Sequence, residues 1–395
     1  MLRSALLAMT AIAVISDTML LPYYPQLFEA RFMISSSLTV GIYLASISLA
    51  VMLAFPIWVA IAKKRDTLSV LVWTQLAAGV LSIGCYAAND IASFWAFSII
   101  MVCFKASYLL MYPYVIAMQP LEKHATTIGA LAVIVHFGGI VGAVSGSKIV
   151  ESHGYATPYI VMALGDFVQA AICALLLQAG TRPAVEAKTI ETSENALPLS
   201  RDEKRNFASL LGVMLLFYFG FYMSMPFMTL WWQTVAGAPM QHWAGLVYAI
   251  PGFAAIAVLA WDHKRGKAAQ VWRRNETGLL LTSIGLAVQA FPHPASIVIG
   301  RIIFGIGLYY VTIGLDAVFF ERAHKSRYAS GFSLLNIARN SGVMLAATAS
   351  GLLVQQAGEG TPFVVAAVTV LATLLLYRIS LRPGLAGPVG HAQPA

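Results

Sequence analysis

Residues Val14–Gln26 read VISDTMLLPYYPQ. One carboxylate, Asp17, stands inside an apolar run that begins at Ala5 and ends in a proline–tyrosine cluster. An ionised side chain at the centre of a bilayer costs about 2.5–3.5 kcal/mol on insertion scales. A chain keeps such a group in a membrane where it faces a cavity, meets a partner or exchanges protons. The weight of Asp17 therefore depends on whether this run spans a bilayer.

Composition answers that question. The chain has 395 residues, 59% hydrophobic and 11% charged, with a mean hydropathy of +0.75. Soluble domains carry about 25% charged residues. The apolar runs are continuous and helix-length for a hydrocarbon core of about 30 Å, without the two-residue alternation of barrel strands. The fold class is all-α integral membrane. The first residues resemble a signal peptide, but no small-residue cleavage site follows and the run continues to Leu21, which predicts an uncleaved first crossing. Cys85, Cys103 and Cys173 fall inside apolar runs and suggest neither a disulfide framework nor a metal site.

Twelve apolar segments are predicted: 4–26, 35–62, 68–88, 91–119, 126–150, 157–179, 206–232, 241–261, 276–292, 295–320, 329–355 and 361–381. They divide the chain into an N-terminal six-helix bundle (1–180), a polar linker (181–205), a C-terminal six-helix bundle (206–382) and a tail (383–395). Twenty of the 25 basic residues fall in loops or termini on one side, and Arg31 falls on the other. That bias places both termini and the linker in the cytoplasm. The formal net charge of +8 is then a topology signal and implies no nucleic-acid partner. A shift of 204 residues superimposes Met19 on Met223, Pro22 on Pro226, Gly41 on Gly245, Val150 on Val354 and Gly154 on Gly358. Two parallel, pseudo-symmetric halves follow, and transporters built that way bind substrate between them near the midplane.

This organisation resembles the major facilitator superfamily over roughly residues 4–381. Local motifs are sparser than the architecture. The loop after the second segment keeps Lys63, Lys64 and Arg65, with Lys63 where that family carries an aspartate. The equivalent loop of the second half keeps Asp262 and Gly266. Lys105 stands near the place of the family's fourth-helix arginine, and Arg301 fits its counterpart in the tenth segment. The glycine-rich fifth-helix motif of exporters is reduced to Gly138–Gly146 and lacks its proline. The resemblance implies a small-molecule substrate, alternating access and a monomer.

The residues themselves nominate a site. Asp17 lies about 20 Å into the first segment at 1.5 Å per residue. It reads as a proton carrier or a ligand for a cationic group, or as a structural ion pair with Lys105. Lys105 would attract an anionic substrate or neutralise Asp17. Asn336, Arg339 and Asn340 share one helix face and suit a carboxylate or phosphate, or form an interhelical hydrogen-bond cluster. Arg301 reads as a site residue or as a cation snorkelling from the outer end of its segment. His136 is a relay candidate, and Tyr108 and Tyr112 are pocket-wall candidates beside Lys105. Asp166 is a weaker candidate. Pro22 and Pro226 would kink equivalent helices for rocking. Asp262 and Asp316 are gate candidates, Asp316 with the basic segment that follows it.

With no nucleotide-binding motif, an ion gradient supplies the energy. The expectation is a proton-coupled exporter (an antiporter) in the cell inner membrane, moving a small polar or anionic metabolite, drug or siderophore-like compound. The alternative is a proton symporter that imports an organic anion or siderophore-like compound. No enzyme motif, cofactor or metal is indicated.

Overall fold

The computed structural model describes residues 2–111, 114–115, 124–179, 201–264, 274–322 and 328–381. No strand occurs among them. The first crossing comprises α1 (Leu2–Thr18), a 3-10 turn at Leu21–Tyr23 and α2 (Tyr24–Phe32). The rest of the first half comprises α3 (Ser37–Ala62), α4 (Thr67–Ala87), α5 (Ile91–Lys105) with a 3-10 extension at Ala106–Leu110, α6 (His124–His153) and α7 (Pro158–Gln178). The second half begins with α8 (Arg201–Met223) and α9 (Met228–Ala236). It continues with α10 (Ala244–Lys264), α11 (Asn275–Gln289), α12 (Pro294–Arg322), α13 (Tyr328–Ala357) and α14 (Thr361–Leu381). Ten stretches among the described residues are long and apolar enough to cross a membrane, and α6 and α11 complete the twelve. Large apolar side chains face outward along them, such as Leu53 at 61% exposed and Ile379 at 76%. In water that surface would be a liability; in lipid it is the expected one.

The first and seventh crossings differ from the predicted kinked helices. Each is broken into two helices at its proline, and each extends past the predicted end. The pyrrolidine ring removes an N–H donor and clashes with the preceding turn. The segments that follow, Tyr24–Phe32 and Met228–Ala236, are nine residues each and coincide under the 204-residue shift. The same shift pairs Gly154 (φ 84°) with Gly358 (φ 89°). Each glycine ends a helix in the left-handed region, with its N–H donating to Val150 O or Val354 O.

The halves meet on the face opposite the termini, through contacts that repeat under the shift. A Cβ on Gly41 of α3 would lie 2.5 Å from Ala347 O of α13, and one on Gly245 of α10 would lie 2.7 Å from Ala143 O of α6. Gly351 packs beside Gly41, and Ser147 beside Gly245. Small residues let two helix backbones approach this closely. Ser36 caps α3 and donates to Gln355 Oε1 at 3.1 Å, adding a polar contact at the rim. Between the two proline breaks, Thr229 donates to Pro22 O, and Gln26 Nε2 donates to Thr229 Oγ1 and Gln233 Oε1 at 3.1 and 3.0 Å.

On the same face Arg31 donates to the carbonyls of Cys85, Tyr86 and Ala88 and closes the C-terminus of α4. Asp90 caps α5 through Ser93, and those bonds hold its carboxyl below the usual carboxylate range. A depressed folded value means that this contribution is present above the ordinary range and is lost as pH falls through the depressed value.

The glycine contacts generate a cross-linking prediction. With Cys85, Cys103 and Cys173 replaced, Ser36→Cys/Gln355→Cys is expected to form a disulfide readily. Adding Gly41→Leu is expected to lower the yield severalfold, as read by mobility on non-reducing gels. An undiminished yield would show that this face closes without the glycine contact.

Candidate functional site

Lys105 is the last residue of α5, where the helix tightens into the 3-10 turn. Ser107 holds that turn against α4, meeting Thr74 Oγ1 at 2.6 Å and accepting from Gln75 at 3.3 Å. From there Lys105 Nζ lies 2.6 Å from Asp17 Oδ1 and 2.7 Å from Asp166 Oδ1. The other Asp166 oxygen accepts from Ser82 Oγ of α4 at 3.2 Å. Four crossings thus contribute to one charged cluster. Gly165 makes it possible, since a Cβ there would lie 2.9 Å from Ser16 Oγ. That close approach of α7 to α1 brings the neighbouring Asp166 within reach of Lys105.

Exposure within the cluster is uneven. Lys105 is 7% exposed and Asp166 1%, whereas Asp17 is 25% exposed. A buried ammonium is stabilised by close, well-oriented counter-charges. The expected Asp17–Lys105 pair is therefore present, and Asp166, ranked lower from the sequence, completes it. An open apolar groove lies between α3 and α5, lined by residues such as Leu49, Leu53, Ile57 and Phe104. Lys105 is not among its lining residues.

The second half holds a smaller charged pair. Arg339 of α13 bonds Asp316 of α12, and its guanidinium lies 5.4 Å from the Tyr218 ring centroid of α8. Asp316 thus pairs across to the neighbouring helix, where a latch with the following basic segment was expected. Residues 323–327 of that segment lie outside the described residues. Asn336 is half-buried, and Asn340 is exposed and donates back to Asn336 O at 2.9 Å. The expected amide–guanidinium–amide face is therefore divided: Arg339 turns to Asp316, and Asn340 bonds within its own helix. Asp262 is buried and accepts from Arg274 at 3.2 Å, and Arg274 also donates to Tyr310 OH at 3.0 Å. Through Arg274, the residue before α11, this ties the end of α10 to α12.

Arg301 corrects the snorkelling expectation, because it is fully buried. Pro251 lies inside α10 and has no N–H for Val247 O, the carbonyl four residues earlier. Arg301 Nε donates to that carbonyl at 3.1 Å, and Nη2 donates to Tyr248 O. The guanidinium also lies 5.4 Å from the Tyr248 ring centroid and 5.8 Å from that of Phe304. Counting along a helix gives depth but not direction, which is why the sequence left this contact hidden.

Tyr108 is partly buried and packs against the cluster of Leu6, Met9, Leu71 and Met111. Tyr112 lies outside the described residues, as does the side chain of His136. Sequence reasoning missed Ser82, Gln26, Thr229 and Gln355, which are ordinary polar residues whose significance appears only with their partners.

A twelve-crossing helical membrane protein in two related halves, with charged clusters inside both, is a membrane transporter rather than an enzyme. The sequence model of the Major Facilitator Superfamily matches residues 6–272, and the chain belongs to that family. Among solved structures, an auto-inhibited POT family peptide transporter superimposes with a TM-score of 0.79 at 10% identity, covering 100% of this chain and 98% of that one. A bacterial homologue of the human lysosomal transporter Spinster, inward-facing and occupied, gives 0.77 at 14% identity, with 96% of each chain covered. The D323A mutant of the nucleoside transporter NupG gives 0.74 at 12% identity, covering 97% of this chain and 100% of that one. At such identities the superpositions show a shared fold. No curated protein sequence matches.

The Arg301 contacts predict a stability effect. Arg301→Ala leaves Val247 O, the carbonyl that Pro251 releases, without its donor and is expected to cost about 1–3 kcal/mol. Arg301→Lys, with one nitrogen instead of a fork, is expected to recover only part of the loss. Thermal unfolding of the detergent-solubilised protein checks both.

Proposed function

We infer that this transporter is a proton-coupled exporter of a small polar or anionic metabolite, drug or siderophore-like compound. It works by alternating access in the cytoplasmic membrane, with both termini in the cytoplasm. The observation that carries the reading is the buried Asp17–Lys105–Asp166 cluster with one partly exposed carboxylate. An intramembrane carboxylate whose charge is balanced by a movable contact can take up a proton on one side of the membrane and release it on the other. When the proton and the substrate compete for Asp17, the exchange is antiport.

The halves 1–180 and 206–382 are the moving bodies in this reading, acting as a monomer. The repeated glycine contacts at Gly41 and Gly245 form the gate on the face opposite the termini. Pro22 and Pro226 mark where the first and seventh crossings flex. Asp262–Arg274 and Asp316–Arg339 stiffen the C-terminal half as it rocks.

The test uses two strains that express either the wild-type chain or Asp17→Asn, compared by small-molecule profiling of cells and spent medium. Wild type is expected to deplete one compound from cells and enrich it outside. The variant is expected to insert normally and to lose the gradient-driven part of that movement. Full export by Asp17→Asn would remove the coupling role, and enrichment inside cells would reverse the direction.

A further inference from the structure

Asp166 is the most deeply buried member of the charged cluster. Both of its oxygens are engaged, one by Lys105 at 2.7 Å and the other by Ser82 at 3.2 Å. Asp17 engages Lys105 through Oδ1 at 2.6 Å, and its second oxygen has no hydrogen bond among the described residues. One ammonium between two carboxylates leaves one negative charge over. Breaking the contact with Asp166 would strand a sealed charge, whereas Asp17 already meets open space.

We propose that Asp166 is the fixed counterion of Lys105, so that Asp17 is the exchangeable end of the cluster and takes a cation, either a proton or the ammonium group of a substrate. This rests on the transport reading above and narrows its substrate class to amines. Asp166 is a positioning residue that acts through Lys105. The surroundings of Asp17 are consistent with this role. Lys105 reaches it from α5, Asp166 stands behind that lysine on α7, and Tyr24 of α2 is an electrostatic neighbour. From α6 the contacts to α1 come through Gly138, Gly142 and Gly146. No second cation bonds Asp17 among the described residues. When a proton or an amine neutralises Asp17, Lys105 stays paired with Asp166 and the interior keeps a balanced charge. The two ligands occupy one carboxylate in turn.

Carbodiimide labelling of the full-length protein in detergent tests the assignment, because the reagent modifies a protonated, accessible carboxyl and mass spectrometry locates the adduct. Wild type is expected to label at Asp17 and not at Asp166. In Asp166→Asn, Lys105 has Asp17 as its one carboxylate, and labelling of Asp17 is expected to fall severalfold. Lys105→Gln/Asp166→Asn removes the cation together with its counterion and is expected to restore labelling. A purely structural Asp166 would give no such rescue, and the double variant gives an answer even where Asp166→Asn alone misfolds. Undiminished labelling in folded Asp166→Asn, or no recovery in the double variant, overturns the counterion assignment.

The ligand class is read on wild type with two ions matched in size and opposite in charge. Tetraphenylphosphonium is expected to protect Asp17 and tetraphenylborate is not. Protection by the anion, or by neither ion, overturns the cation assignment. Labelling is read without any transport step, so failure of the export reading would leave this pattern intact and would be seen separately.

Discussion

A lysine ammonium at bilayer depth has to be accompanied by its own counter-charge, and much of the first half is arranged to supply it. Lys105 would be prohibitively costly alone in an apolar bundle. Its two carboxylates come from α1 and α7, and the hydroxyl that orients one of them comes from α4. Gly165 lets α7 approach α1 closely enough for the set to close. The cluster is therefore a packing constraint as well as a chemical one, because moving α5 away from α7 would part Lys105 from the sealed Asp166.

The second half shows that this arrangement is particular to its place. Under the 204-residue shift, Asp17, Ser82, Lys105 and Asp166 fall on Phe221, Leu286, Tyr309 and Val370. Leu286 and Val370 are fully buried, and Phe221 stacks on Phe304 with ring centroids 5.9 Å apart. What the halves share is the machinery of contact: proline breaks at Pro22 and Pro226, terminating glycines at Gly154 and Gly358, and close approaches at Gly41 and Gly245. Symmetric contacts joined to asymmetric polarity suit a transporter in which two similar bodies rock while one carries most of the charge chemistry.

Much of this was legible in the sequence, and the gaps have physical causes. Hydropathy over twenty-residue windows reports where a chain lies in lipid, so the segments were readable. The repeat was readable because glycine and proline sit where only they fit. The Asp17–Lys105 pair was readable because intramembrane charges have few partners to choose from. Asp166 was under-weighted because nothing local distinguishes a sealed carboxylate from an exposed one; its burial comes from Gly165 and from helices far away in sequence. The contacts of Arg301 and Asp316 were hidden for a related reason. Spacing along a helix fixes depth and relative angle, but the neighbour a side chain faces is set by the packing of other helices.

Proline illustrates how those neighbours resolve a local problem. In lipid a carbonyl released from helical bonding has no water to turn to. At Pro251 the released group is Val247 O, and the chain brings in Arg301, which holds α10 to α12 within one half. At the Pro22 break the chain uses Thr229, a neutral hydroxyl from the opposite half. The two choices match different mechanical needs. A charged fork that grips two adjacent carbonyls suits a joint that stays closed as its half moves. A single neutral hydroxyl, backed by the amide of Gln26, suits a joint that has to open, because parting it leaves weak polar groups rather than a stranded charge. At these two prolines the stronger donor lies within a half and the weaker one between the halves, the distribution that two rigid bodies meeting at a reversible gate require.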